Sequence, residues 1–340
     1  MTKLAMAIDE EYSILEYLIL MPSTEDTSTV LVLPKTLQAP HLHHLTLSNF
    51  ALPIGSRLLM TAVGFVTLFL HIGQPSTYFP PNTLLQWLSF MPQLEMLVIL
   101  ICLPLPNRDV ERQLIHMPNM THITLPNLRW VTFKGVSTYS EAVFRRITAP
   151  CLENLQIGFF NQLTFSVPHL LSFLNTTENL SYDSVMCHFA RELVYVQVDL
   201  REEANTYALL LNVYCEDLDW QVSSVAQICD ALNPIFSPVE HLTLKHLVHS
   251  QSSEEHNEVD RTEWHKLLRS FSNVKTLSVE DGLVGDLSRC LQLEDGEPSL
   301  GLLPELQELT YFGNGDTGKA FTSFIQAWQN AGHPVTLICH

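Results

Sequence analysis

The chain has 340 residues, 46% of them hydrophobic, enough to bury a large core as one elongated domain. Its 36 acidic and 18 basic residues leave a formal charge of -18, which repels a phosphate backbone, excludes general nucleic-acid binding and favours a basic or cationic partner surface. The seven cysteines (102, 151, 187, 215, 229, 290 and 339) are scattered with no Cys-x-x-Cys pair, so neither a disulfide framework nor a zinc ribbon is expected and most read as small core residues.

From the N-terminus, Met1 to Glu11 meets acidic residues after a few apolar ones and lacks a signal-peptide layout, so an intracellular protein of cytoplasm or nucleus is expected. The sequons at Asn119, Asn175 and Asn179 carry little weight in that compartment. The first strand candidate is Ile14 to Leu20. A recurring phrase then begins: a turn residue, an apolar residue, two spacers, an apolar residue, one spacer and an apolar residue. It reads Pro40 with Leu42, Leu45 and Leu47, then Pro92 with Leu94, Leu97 and Ile99, then Pro126 with Leu128, Val131 and Phe133, then Pro150 with Leu152, Leu155 and Ile157. It returns as Pro238 with Val239, Leu242 and Leu244, Asn273 with Val274, Leu277 and Val279, and Pro304 with Leu306, Leu309 and Tyr311.

A unit of this size cannot bury its own apolar face, so internal repetition predicts a stacked array. The 52-residue gap after Pro40 holds one more strand candidate, Phe65 to Ile72. The 88-residue gap from Pro150 to Pro238 holds strand-like runs at Leu193 to Val198 and Ala208 to Cys215, read as further, irregular repeats around 175–235. The apolar runs Leu58 to Ile72 and Met96 to Leu105 fall short of the roughly 20 residues that cross a bilayer, so they are read as buried elements and no membrane is involved.

Between strands the apolar residues follow helical spacing: Leu84, Trp87, Leu88, Met91; Val225, Ile228, Cys229, Leu232; Trp264, Leu267, Leu268, Phe271; Phe321, Phe324, Ile325, Trp328. Asn82, Thr262 and Thr317 or Asp316 stand where N-caps belong. Strand plus helix is therefore the unit. The pattern predicts an α/β leucine-rich-repeat solenoid, a horseshoe with a curved parallel sheet, outer helices and a single domain over 1–340.

Strand residues between the core apolars point to the concave face. These are His44, Thr46, Ser48; Met96, Val98, Leu100; Trp130, Thr132, Lys134; Asn154, Gln156, Gly158; His241, Thr243, Lys245; Thr276, Ser278, Glu280; and Glu308, Thr310, Phe312. The apolar Met96, Val98 and Leu100 beside Trp130, Thr132 and Lys134 form the candidate partner-binding patch, because exposed apolar patches mark partner surfaces.

Catalytic, cofactor and metal sites are not expected. Gly313, Gly315 and Gly318 match the dinucleotide fingerprint between a strand and a helix, yet no acidic residue follows Asp316 to hold a ribose. A nucleotide binder or enzyme using this 313–318 turn is the alternative reading. His41, His43 and His44, like His246 and His249, lack nearby ligands at metal spacing. The acidic stretches Ser252 to Asp260 and Glu294 to Glu297 read as solvated loops.

Four segments, Leu37-Gln-Ala-Pro-His-Leu-His-His-Leu-Thr-Leu47, Leu84-Leu-Gln-Trp-Leu-Ser-Phe-Met-Pro-Gln-Leu-Glu95, Ile147-Thr-Ala-Pro-Cys-Leu-Glu-Asn-Leu155 and Leu218-Asp-Trp-Gln-Val222, resemble the repeat region of fungal, basidiomycete-type F-box proteins. That resemblance implies a non-catalytic substrate-recognition array for a cullin-RING ubiquitin ligase, with an unknown protein substrate on the concave face. In that family an N-terminal F-box docks on the Skp1 adaptor. Only 13 residues precede Ile14 here, too few for a complete F-box, so Skp1 is an expected partner only if an upstream F-box exists.

Overall fold

A computed structural model describes residues 12–21, 31–53, 55–61, 63–102, 122–160, 165–177, 183–201, 206–247, 261–291, 302–312 and 321–340. It is a mixed α/β protein of mostly parallel strands, in two compact units: Met1–Gly158 with Val167–Leu180, and Phe159–Ser166 with Ser181–His340.

In the first unit six strands run in the order β1 (Tyr17–Leu20), β3 (His44–Ser48), β5 (Thr67–Ile72), β6 (Met96–Ile101), β8 (Trp130–Gly135), β10 (Asn154–Phe160). The pairs from β1 to β8 are parallel and in step, Tyr17 beside His44, His44 beside Thr67, Thr67 beside Met96 and Met96 beside Trp130. Two short bridges, β2 (Leu31–Val32) with β4 (Phe50–Ala51) and β7 (Ile123–Thr124) with β9 (Ile147–Thr148), accompany them. Helices α1 (Arg57–Thr61), α2 (Pro81–Leu88), α3 (Ser137–Phe144) and α4 (Pro168–Asn175) lie between the strands in sequence.

The repeated phrase builds one backbone device. The N–H of its first apolar residue donates to the carbonyl three residues back, Leu94 to Met91 at 3.2 Å, Leu128 to Leu125 at 3.3 Å and Leu152 to Ala149 at 3.2 Å, closing a β-turn. Proline occupies the second turn position, where its fixed φ suits the geometry. The next two N–H groups converge on one carbonyl of the preceding strand, Glu95 and Met96 on Val66, Arg129 and Trp130 on Glu95. Every strand therefore enters at the same height, and the inward residues align as rows. Leu45, Leu68, Leu97 and Val131 form one such row, all buried, as is Leu155 of β10, with the helical stripe of Leu84, Trp87, Leu88 and Met91 also buried.

The second unit has seven strands in the order β13 (Thr206–Tyr214), β12 (Val194–Arg201), β11 (Ser184–Ala190), β14 (His241–Leu247), β15 (Thr276–Glu280), β16 (Glu308–Phe312), β17 (Thr336–Cys339). From β11 through β14 to β17 the pairs are parallel, and the same turn recurs at Val239 to Phe236, Val274 to Phe271 and Leu306 to Leu303. Helices α5 (Leu218–Ala231), α6 (Asn233–Phe236), α7 (Arg261–Arg269), α8 (Asp281–Cys290) and α9 (Thr322–Asn330) bury Ile228, Trp264, Leu268 and Trp328 completely. Leu242, Leu277 and Leu309 lie buried beneath the strands.

Two expectations are corrected here. The runs at Leu193 to Val198 and Ala208 to Cys215 are not strand-plus-helix repeats: β12 pairs antiparallel with both β11 and β13. The connections, 191–193 and 202–205, are too short for a parallel crossover, which takes a dozen or more residues. The expected caps also shift. Helix α2 starts at Pro81 after Pro80, leaving Asn82 inside the first turn with its buried Oδ1 unpartnered, and α7 starts at Arg261, one residue before Thr262. Asp316, Thr317 and the Gly313–Gly318 turn lie outside the described residues, as do 252–260 and 294–297. Cys187, Cys215, Cys229 and Cys290 are buried thiols, as expected of small core residues, and burial pushes Cys187 up to about 12. Among the described residues no helix is long and apolar enough to cross a membrane.

Candidate functional site

Alternation on a strand sends every second side chain away from the helices, and the parallel register sets these outward residues in three rows on the first unit. The first is Tyr17, His44, Thr67, Met96, Trp130; the second is Ile19, Thr46, Phe69, Val98, Thr132; the third is Ser48, His71, Leu100, Lys134. All six expected patch residues thus fall together as three side-by-side pairs, Met96 with Trp130, Val98 with Thr132 and Leu100 with Lys134.

Their exposure differs. Met96 is exposed at 36%, while Leu100, Trp130, Thr132 and Lys134 are half-buried. Val98 is a correction: at 9% exposure it is closed in at the centre of its row, between Phe69 and Thr132, and offers a partner little surface. The Trp130 Nε1–H donates to Thr132 Oγ1 at 2.9 Å, fixing the indole along its own strand. The loop from Thr77 to Pro81 leads into α2. It packs with the helices, where Tyr139 of α3 donates its hydroxyl to the Phe79 carbonyl at 3.2 Å and Phe79 lies edge-on to Trp87 of α2.

The structure adds residues the repeat phrase passed over. Phe69 and His71 on β5 stand between the expected triplets of β3 and β6, and Tyr17 of β1 stacks on His44 with ring centroids 4.4 Å apart. The outward alternation of β5 is readable, but it lacks the turn proline or asparagine that opens the other units. At the end of the third row, His71 Nδ1 lies 2.8 Å from Ser48 Oγ and its Nε2 lies 3.2 Å from Cys102 Sγ. Burial, and then the Lys134 ammonium, hold the His71 imidazolium below its ordinary range, so the ring is neutral near pH 7.

The outward residues of the second unit fall where the phrase places them, and they are more polar. His241 Nδ1 pairs with Thr276 Oγ1 at 2.7 Å, Lys245 lies 4.0 Å from Glu280, and Phe312 stacks on His340. On its helix side a cleft of about 460 Å³ lies between α5 and α7, lined by Asp230, Asn233, Lys266 and Arg269 among others, with Lys266 paired to Glu263 at 2.6 Å. Among the described residues no group of three or more His, Cys, Asp or Glu is placed to hold a metal ion. No protein-family model matches the chain, and no curated protein matches it at a significant level.

Proposed function

We propose that the chain is a non-catalytic protein-interaction module, a leucine-rich-repeat array whose open face on the first unit receives its partner. One observation supports this reading above others. The outward residues of β1, β3, β5, β6, β8 and β10 include no carboxylate, although the chain carries 36 acidic residues. In their place stand Tyr17, Ile19, Phe69, Met96, Leu100 and Trp130, with Lys134 and His71 at one end. Aromatic anchors of this kind dominate the energetics of protein interfaces. The complementary ligand is a polypeptide segment that lays apolar side chains across Phe69, Leu100 and Trp130 and brings a carboxylate to Lys134. The overall charge of -18 attracts it best when the rest of the partner is basic.

A displayed library of short peptides, selected on the purified chain, tests the site. Enriched sequences combine apolar and acidic residues, and they lose binding to Trp130→Ala and Lys134→Glu but not to Gln329→Glu on α9, an exposed control. Enrichment indifferent to Trp130 and Lys134 would remove the face from consideration. The resemblance to fungal F-box proteins extends the reading to a ubiquitin-ligase substrate receptor. That part is tested separately, by binding of Skp1 to a form of the protein that carries an F-box.

A further inference from the structure

We propose that Cys102 is a nucleophilic thiol, with His71 as its base, that forms mixed disulfides with small anionic disulfides. The inference does not depend on the partner-binding reading, although both involve His71 and Lys134.

Its basis is the convergence of three strand ends. Cys102 continues the outward alternation of β6 beyond Leu100, His71 closes the outward row of β5, and Ser48 closes that of β3. His71 Nε2 is 3.2 Å from Cys102 Sγ while its Nδ1 is 2.8 Å from Ser48 Oγ. A thiol, a base within reach of it and a third group orienting the base make up the arrangement that activates weak nucleophiles. In the tautomer whose Nδ1–H donates to Ser48 Oγ, Nε2 presents its lone pair to the thiol proton. The neutral state of the ring keeps that lone pair free.

The backbone holds the three groups in place. The Cys102 N–H donates to the Ile72 carbonyl at 2.9 Å and the Asn49 N–H donates to the His71 carbonyl at 2.9 Å. The Gly73 N–H donates to Asn49 Oδ1 at 2.6 Å. Lys134, registered beside Leu100 on β8, is near enough to act on the charge of His71, and it is the cation an anionic reagent meets at this end of the sheet. Lys134 is the charged group facing His71 from β8, Cys102 faces it from β6 and Ser48 from β3.

The chemistry balances without a cofactor. As the Cys102 sulfur attacks one sulfur of the disulfide, His71 Nε2 accepts the thiol proton, the Cys102–S–S–R bond forms and the original S–S bond breaks. The leaving thiolate carries away the electron pair and takes the proton from His71. The small disulfide is thereby the oxidant, half of it released as thiol.

Exposure alone gives the opposite ranking, since Cys151 and Cys339 are exposed whereas Cys102 is half-buried. The probe is dithiobis-nitrobenzoate, an anionic aromatic disulfide that releases a coloured thiolate, added to the reduced, intact chain, with neutral dithiodipyridine in parallel. One fast thiol per chain is expected, mapped to Cys102 by mass spectrometry and absent in Cys102→Ser. Both His71→Gln and His71→Asn should slow it about ten-fold or more, with Cys187, Cys215, Cys229 and Cys290 staying unreactive as the sign that the fold is intact. Should both His71 variants unfold, Ser48→Ala must slow the same phase. Lys134→Gln should slow the anionic disulfide and leave the neutral one unchanged. Fast labelling at Cys151 or Cys339, or wild-type rates in the folded His71 or Ser48 variants, would overturn the assignment of the thiol and its base. Equal effects of Lys134→Gln on both reagents would overturn the preference for anions.

Discussion

Glu141 caps a helix other than its own: its Oε1 accepts the backbone N–H of Leu170 at 2.9 Å and its Oε2 that of His169 at 2.8 Å, at the start of α4. Val167, the cap residue of α4, makes no side-chain hydrogen bond, so the buried carboxylate of α3 satisfies two of the orphan donors. Phe144 of α3 also packs on Phe173 of α4 with centroids 4.9 Å apart. Removing the carboxylate with Glu141→Ala leaves two N–H groups without their acceptor, and it should cost about 1 to 3 kcal/mol in denaturant unfolding.

The same residue gives stability a pH dependence of known sign. Burial raises the Glu141 carboxyl above its ordinary value of 4.5, against the pull of the two backbone hydrogen bonds. The folded chain then binds more protons than the unfolded one between 4.5 and the raised value. The Glu141 contribution therefore falls as pH rises through that window and is constant above it. Unfolding free energies measured across the window should fall less steeply in Glu141→Gln than in the wild type.

Leu155 and Leu242 occupy equivalent phrase positions, one in each unit, and each is 1% exposed. Truncating either to Ala removes transfer energy and leaves a cavity, for an expected loss of about 2 to 5 kcal/mol. Unchanged melting for both variants would contradict the inward register of β10 and β14.

The inward half of each strand was legible because the phrase joins a turn to two alternating apolar residues, and both constraints act locally. Leu45, Leu97, Leu277 and Leu309 are all buried for that reason. The unit at Phe65 reads as a strand, but with neither proline nor asparagine to open its turn the phrase does not fix its register, nor the outward places of Phe69 and His71. Strand direction was not legible at all in β12. Val194, Val196 and Val198 alternate identically in a parallel or antiparallel strand, and only the short connections decide between them. The Ser48, His71 and Cys102 cluster joins residues 23 and 31 positions apart, and nothing local in the sequence announces it.

Gly73 is required by a close approach. A Cβ there would lie 2.5 Å from Asn49 Oδ1, the acceptor of the Gly73 N–H, while Asn49 itself sits at φ 58°. Gly73→Ala should therefore destabilise by roughly 1 to 3 kcal/mol through the displaced hydrogen bond. Glycine at position 49 removes the obstructing side chain and tolerates the left-handed backbone. The Gly73→Ala/Asn49→Gly double variant should accordingly cost less than the sum of the two single variants, measured as a double-mutant cycle. Strict additivity would show that the two residues do not meet.

Trp130 and Trp264 separate a surface role from a core role. Trp130 is half-buried on the open face of β8, held by its bond to Thr132, whereas Trp264 of α7 is fully buried and lies edge-on to Phe189. Trp264→Ala should cost about 3 to 5 kcal/mol, the range for emptying a large aromatic site. Trp130→Ala loses one hydrogen bond and partial burial, so a cost of about 1 kcal/mol is expected. The measurement is paired urea unfolding of the two variants with the m-value compared to the wild type. A core-sized loss for Trp130 would mean that its indole is a structural element of β6 and β8, and the partner surface would then rest on Phe69, Met96 and Leu100 alone. A small loss with an unchanged m-value would leave the indole free to serve as an interface anchor.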